Sequence, residues 1–312
     1  MKKRYPMFLI FAILVTLSAC SEPSIPATPT AKPAPIVLTD GLGRQVSFDQ
    51  PAQRIVSLAP SNTEILFAIG AGGQVVGRDQ FSDYPSQAQS IADVGGNAGA
   101  FNTEAILALK PDLVLASQLS PAEQVKALED LGLKVYLLPN PTTLEEMFDI
   151  LSLVGQITGR QKEAIALVEQ LTARVKVIDE KLVGASESPL VFYELDATDV
   201  NAPYTAGPGT FIDMLIARAG GVNLGGKLPD AYPQVSIEKL LVDNPQVIIL
   251  GDSTWGGVTP ETVMARESWS SLQAVQQNRV YAFDENLVVR PGPRLVDGLE
   301  ALAKLLHPEL FE

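Results

Sequence analysis

The chain has 312 residues, 46% of them hydrophobic and 19% charged. That length suits about two domains of roughly 150 residues each, and the composition excludes collagen-like, low-complexity and wholly disordered chains. Its 23 basic and 36 acidic residues leave a net charge of −13, which repels phosphate backbones and anionic lipid and argues against nucleic-acid binding. A single cysteine, Cys20, and a single histidine, His307, exclude an internal disulfide and zinc sites built from clustered Cys and His. Any Ser-His-Asp or Cys-His centre would have to use a histidine near the C-terminus, where a structural or surface role is expected.

Taken from the N-terminus, Lys2, Lys3 and Arg4 precede an apolar run, Met7 to Leu17. The run is about eleven residues, too short for a bilayer-spanning helix of about 20, and it reads as the apolar part of a signal peptide over residues 1–19. Leu17-Ser18-Ala19-Cys20 resembles the bacterial lipobox, which implies that Cys20 is lipidated and becomes the mature N-terminus. Residues 20–35 then read as a tether, because Ser21 to Pro35 hold five prolines in fifteen residues. Such chain stays extended at about 3.1 Å per residue, a reach on the order of 45 Å.

Beyond the tether, short β-rich runs alternate with helical patterns. Strands are expected at Ile55–Leu58, Gln74–Gly77, Leu113–Ala116, Lys134–Leu138, Leu190–Leu195, Val247–Leu250 and Val280–Phe283. Helices are expected at Asn62–Ile69, Pro121–Leu131, Thr143–Thr158, Thr210–Ala219 and Pro293–Leu306. This alternation predicts an α/β fold with largely parallel sheets. Between the two groups, Ala164, Val168, Leu171, Val175, Ile178 and Leu182 recur at spacings of 4, 3, 4, 3 and 4, one face of a single long helix. The expected organisation is an N-terminal lobe over 36–158, a connecting rigid helix within 159–188 and a C-terminal lobe over 189–312, with a cleft between the lobes.

One phrase occurs twice. Thr103-Glu104-Ala105-Ile106-Leu107 leads to Pro111-Asp112-Leu113, and Ile237-Glu238-Lys239-Leu240-Leu241 leads to Pro245-Gln246-Val247, with seven residues from glutamate to proline in each. The repetition suggests two related lobes. Asn102 and Ser236 are suitable N-caps, so both glutamates fall in a first helical turn, where the helix dipole alone favours a carboxylate by about 0.3–1 kcal/mol. Gly70, Gly72, Gly73 and Gly77 follow a helix and precede a strand, the reverse of a phosphate-cradling arrangement, and read as a helix end and tight turn. Glu194, Asp196 and Asp199 cluster after a strand; a solvated loop is the expected reading, a cation site the alternative.

Arg54-Ile55-Val56-Ser57-Leu58-Ala59-Pro60-Ser61-Asn62-Thr63-Glu64, then Ser82-Asp83-Tyr84-Pro85 and the paired glutamate phrases, resemble the periplasmic binding proteins of ABC importers that carry cobalamin, haem and ferric siderophores. The likeness runs from Asp40-Gly41-Leu42-Gly43-Arg44 to Leu305-Leu306-His307-Pro308 and is nearest to the cobalamin-binding members. It implies two α/β lobes bridged by one long helix, no catalysis, and no resident cofactor or metal. It implies that Glu104 and Glu238 dock into arginine pockets of the two permease subunits of a transporter with its ATPases. By family position, Pro60, Tyr84, Tyr204, Tyr232, Trp255 and Arg290 would line the ligand cleft, though for any one tyrosine a core or surface role stands as the alternative. Aromatic faces suit a flat macrocycle, and phenol hydroxyls can reach its polar rim.

This chain departs from the cobalamin binders where they often carry a first-lobe tryptophan: here stands Gly95-Gly96-Asn97-Ala98-Gly99. A second-lobe tryptophan is replaced by Tyr232. The expected function is extracytoplasmic capture of a corrinoid by a monomeric lipoprotein anchored to the plasma membrane or to the outer membrane facing the periplasm. A ferric siderophore or haem is the alternative ligand. An anchored hydrolase would need a base and nucleophile that do not stand out, and a sensory or structural lipoprotein would lack a deep aromatic cleft.

Overall fold

The computed structural model describes residues 35–97 and 100–311 together with Met1. Cys20, the expected leader beyond Met1 and the expected tether before Pro35 lie outside the described residues. In chain order the elements are β1 Ile36–Thr39, β2 Gln45–Phe48, β3 Ile55–Ser57, α1 Pro60–Ala68, β4 Val75–Arg78, β5 Ala92–Asp93, β6 Gly95–Asn97, β7 Ala100–Phe101, α2 Thr103–Ala108, β8 Leu113–Ser117, α3 Ala122–Asp130, β9 Val135–Leu138 and α4 Leu144–Thr158. There follow α5 Gln161–Leu182, β10 Leu190–Asp196, β11 Tyr204–Thr205, α6 Phe211–Arg218, β12 Val222–Asn223, α7 Ile237–Asp243, β13 Val247–Leu250, α8 Ser253–Gly256, α9 Pro260–Met264, α10 Gln273–Gln276, β14 Val280–Ala282, α11 Asn286–Val289 and α12 Leu295–Leu306. No helix among the described residues is long and apolar enough to cross a membrane.

The N-terminal sheet runs β5-β4-β3-β8-β9, all parallel, with Ile55 opposite Leu113 and Val114 opposite Val135. The C-terminal sheet runs β11-β10-β13-β14 with β12 also on β10; only β11 is antiparallel. The strands β3, β8, β9 and β13 are buried on both faces almost throughout, so they read as continuous apolar runs rather than alternating ones. The pleat still sorts them. Ile55, Leu113, Leu115, Val191, Tyr193, Val247 and Ile249 point into one large core shared by the lobes. Val56, Val114 and Ala116 turn outward into a cluster of the N-terminal lobe alone, and Phe192, Ile248 and Leu250 into one of the C-terminal lobe alone.

The apolar face read from the sequence is the buried face of α5: Ala164, Leu171, Val175 and Ile178 are buried, with Val168 and Leu182 packed at its edges. α4 ends at Gly159, whose φ of 72° supplies the left-handed turn that reverses the chain into α5. Gly155 allows the two helices to close on each other, since a Cβ there would lie 2.6 Å from the Ala164 methyl. α5 packs against both α4 and α12. The bridge between lobes is therefore a layer of helices sharing one core. A hairpin not expected from sequence, β1 with β2, covers the outer end of the first sheet, where the Tyr136 hydroxyl donates to the Thr39 carbonyl at 2.7 Å.

Candidate functional site

In a parallel sheet the loops beyond the carboxyl ends of the strands carry binding function, because the chain leaves the layer there free of its crossover helices. In the first lobe those loops are Leu58–Ala59 into α1, Asp79–Tyr84 after β4 and the turn of β6–β7. In the second they are 197–203 after β10, Gly251–Asp252 into α8, and 283–285 into α11. The two sets meet through charge. Glu64, nearly fully buried on α1, accepts from Arg294 Nε at 2.8 Å and Nη2 at 2.6 Å, and from Arg290 Nη1 at 3.2 Å. Arg290 Nη1 also donates to Asp83 at 2.6 Å, and the Arg294 guanidinium lies 4.0 Å from the Tyr84 ring centroid. Partial burial would raise the Asp83 carboxyl, but the Arg290 hydrogen bond and charge hold it below its ordinary value.

A second network fixes the loop that carries Asp83 and Tyr84. Ser82 Oγ donates to Asp79, and Thr63 Oγ1 lies within hydrogen-bonding distance of both Ser57 Oγ, at 2.8 Å, and Ser82 Oγ, at 2.7 Å. The Phe81 amide adds a 2.9 Å bond to Asp79. Burial pushes the Asp79 carboxyl above its usual range against these donors. The residues of Ser57…Thr63-Glu64 and Ser82-Asp83-Tyr84 thus act as one unit: the hydroxyls set the loop, and the loop presents Tyr84 and Asp83 to the other lobe.

Among the expected cleft residues, Tyr84 and Arg290 are brought together, through Arg294 and Glu64. Pro60 opens the same helix that carries Glu64 and is half-buried. Tyr204 and Tyr232 lie on neighbouring extended segments: Tyr204 bridges Gln234, and the Thr205 and Gly207 amides donate to the Pro233 and Ala231 carbonyls at 3.0 and 2.8 Å. A Cβ on Gly207 would strike the Asp230 carbonyl at 1.9 Å, so that approach requires glycine. Trp255 stands on the short helix α8 that follows β13. Tyr84, Tyr204, Tyr232 and Trp255 are 46, 43, 62 and 60% exposed, and with Phe81 they are the exposed aromatic side chains among the described residues.

Of the departing glycine segment, Ala98 and Gly99 lie outside the described residues. Gly95 and Gly96 take φ of 88° and 117°, and a Cβ on Gly96 would meet the Phe101 ring at 3.0 Å. An aromatic ring thus stands beside this loop after all, from Phe101.

A cavity of about 620 Å³ lies between the lobes against α5, lined by Glu64, Tyr84, Leu171, Arg174, Arg294 and Asp297 among others. It includes Tyr84 but none of Pro60, Tyr204, Tyr232, Trp255 or Arg290.

The solvated-loop reading of the second-lobe acids needs correction at Glu194. It lies inside β10, fully buried, and binds Arg266. Asp196 and Asp199 instead close local turns onto the Thr198 and Asn201 amides. No carboxylate or histidine group among the described residues is arranged to hold a metal ion. Asp252, 2% exposed, neighbours Glu194; burial first, and the Glu194 charge second, push its carboxyl up to about 7. Asp252 Oδ1, the Tyr193 hydroxyl and Glu285 Oε2 are buried without hydrogen-bond partners. Burial and then Glu285, Asp252 and Asp284 raise the Tyr193 phenol. His307 is buried, 3.4 Å from the Gly220 carbonyl, in the structural role expected of it.

Asn102 and Ser236 cap their helices as the sequence suggests, accepting from Ala105 and Lys239 amides at 3.0 and 3.3 Å. Glu104 and Glu238 are both exposed. Glu238 is held below the usual glutamate range by its own amide and the Ser236 hydroxyl. The Asn102 amide donates to the Val94 carbonyl, just past β5, and the Ile237 amide to the Asn201 carbonyl, in the loop that follows β10. Both helix starts therefore lie at the carboxyl-end side of their sheets. Glu64, Arg294, Ser57, Thr63, Ser82 and Asp79 were given no role by the sequence reading; the Arg290/Arg294 spacing of four residues was the available signal for the first pair.

The family model described as periplasmic binding protein matches residues 55–287. The whole chain is 32% identical to the whole of an uncharacterized ABC transporter substrate-binding lipoprotein of Bacillus subtilis. Among solved structures, the periplasmic vitamin B12 binding protein of Vibrio cholerae matches 84% of this chain and 99% of its own at 30% identity and a TM-score of 0.72. The periplasmic heme-binding protein of Roseiflexus matches 83% and 99% at 26% identity and a TM-score of 0.73. The chain belongs to the periplasmic binding protein family, and it is a solute-binding protein, not an enzyme.

Proposed function

We propose that this family member captures a corrinoid in the cleft between its lobes and delivers it to an ABC permease dimer driven by ATPase subunits. The observation that carries the reading is the placement of the exposed aromatics. Phe81, Tyr84, Tyr204, Tyr232 and Trp255 all sit on or beside the carboxyl-end loops of the two sheets, although each aromatic side chain carries about 150–250 Å² of surface that folding normally hides. Exposed apolar surface concentrated at one end of a molecule marks a binding face. Rings on both lobes suit the two faces of a flat macrocycle, and the phenols suit the amide rim of a corrinoid. The likeness to the vitamin B12 binding protein supports this ligand. In this reading Pro60 and Arg290 border the ligand, and Glu104 and Glu238 meet the permease.

The chain reaches the membrane through lipid on Cys20, with residues 20–35 as spacer, and works as a monomer on the extracytoplasmic side. Haem is the second reading, favoured by the likeness to the heme-binding protein. His307, buried beside Gly220, cannot serve as its axial ligand, so a tyrosine would have to. Difference spectra of the full chain with cyanocobalamin, haemin and a ferric hydroxamate separate the ligands. Saturable change with cyanocobalamin is expected; change with haemin or the hydroxamate alone would replace the corrinoid by that ligand.

A further inference from the structure

Beside the apolar core that the lobes share, a polar network also crosses from one lobe to the other. Glu64, Asp83 and Tyr84 come from the first lobe, Arg290 and Arg294 from the second. A buried ion network of this kind is a poor source of stability, because desolvating the charges offsets most of their attraction, and apolar side chains of equal volume often do as well. What it does provide is direction. A guanidinium held at two points by a carboxylate has a fixed orientation as well as a fixed distance. Both ends of this one are tied down: α1 through Thr63 to Ser57 and Ser82, and Arg294 at the start of α12, whose apolar face is set in the shared core.

We propose that Glu64 is a positioning residue that fixes the aperture of the ligand cleft by holding Arg294 at two points and Arg290 at one. This rests on the cleft being the ligand site. The network has two arms of different character. The Glu64–Arg294 arm is buried, with side-chain exposures of 2 and 13%. The Asp83–Arg290 arm opens to solvent at Asp83, so salt and ligand can reach it. The inner arm sets the resting angle between the lobes. The outer arm narrows the range of angles around it. The two-point hold explains arginine at 294, where a lysine would keep the charge and lose the fork.

The test is a distance between the lobes, measured without ligand. In the full chain carrying Cys20→Ser, spin labels are placed through Ala127→Cys on α3 and Glu261→Cys on α9, both exposed, and pulsed electron-spin spectroscopy reads the distribution. Dissociation of cyanocobalamin is followed in parallel. The wild-type background should give one narrow distribution. Glu64→Gln and Arg294→Lys should at least double its width and speed cyanocobalamin dissociation about tenfold, the usual place for an altered binding site to show. Asp83→Asn should broaden it less. If Glu64→Gln does not fold, Arg294→Lys and Asp83→Asn decide, because each leaves Glu64 facing an arginine or a lysine. Unchanged widths in both would overturn the inference, and so would broadening in Asp83→Asn with none in Arg294→Lys. Broadening in a chain that binds no cyanocobalamin would uphold the positioning role of Glu64 and remove the corrinoid reading instead.

Discussion

Arg266 closes a two-point ion pair on Glu194, at 2.6 and 2.9 Å, while its guanidinium lies 4.4 Å from the centroid of the Trp269 ring. One cation thus neutralises a fully buried carboxylate and packs on a fully buried indole. Replacing Arg266 by methionine keeps an unbranched apolar stem, removes the guanidinium and leaves Glu194 an uncompensated buried charge. Destabilisation by about 3–5 kcal/mol is expected, read as a fall in the urea midpoint. The double change Arg266→Met with Glu194→Leu should recover most of the loss, and a single variant as stable as the wild type would show that Glu194 takes up a proton or water instead.

The same corner of the C-terminal lobe makes stability depend on pH. Asp252 is raised to about 7 by burial and by Glu194, whereas in the unfolded chain an aspartate titrates near 3.8. Below about pH 4 the carboxyl is protonated in both states. Between about 4 and 7 the unfolded chain releases the proton and the folded one keeps it, so the unfolded state binds fewer protons and stability falls as pH rises. Asp252→Asn removes that slope. The difference in Tm, variant minus wild type, should grow between pH 4 and pH 8 by at least ~3 °C, about 1 kcal/mol in a chain of this size. A difference that is flat with pH would place the Asp252 carboxyl in its ordinary range.

The anchor and the binding body are separable in this account. Cys20→Ser should move the protein from membrane to soluble fractions and leave its affinity for cyanocobalamin unchanged. A processed variant that still sediments with membranes would contradict lipidation at Cys20.

Glu104 and Glu238 stand at equivalent places: α2 leads into β8, between β3 and β9, as α7 leads into β13, between β10 and β14. Reversing both charges should abolish uptake and leave ligand binding intact. A well-formed carboxylate–guanidinium pair is worth about 1.5–3 kcal/mol, so losing two should weaken the complex with the permease by a factor on the order of 100 or more. If the glutamates serve only their helix dipoles, glutamine at both sites lowers Tm slightly and transport continues.

The parallel sheets and α5 were legible because their signals are local: Val247-Ile248-Ile249-Leu250 is a buried strand of the expected bounds, and the 4-3-4-3-4 spacing marks the face that α5 buries. The hairpin β1–β2 escaped because its residues are half-buried on one side only and its strands are just four residues each, the first directly following the proline-rich stretch. The interlobe clamp escaped for a different reason. Glu64 and Arg294 are separated by 230 positions, and a glutamate inside a helix has no sequence mark that tells a buried partner of arginine from a solvated charge. Glu194 was misplaced by the same ambiguity, since two acids after it do belong to turns.

The most direct test of the central claim is an equilibrium titration of the full chain and of its Tyr232→Ala/Trp255→Ala variant with cyanocobalamin. Both side chains are exposed, so their removal spares the fold while taking aromatic surface from the cleft of the second lobe. Each contact of this kind contributes on the order of 1–3 kcal/mol. Submicromolar binding by the wild type and a loss of about 100-fold in the variant is the predicted result; equal affinity in the two proteins, or no binding by either, would contradict the assignment of the interlobe aromatics to a corrinoid.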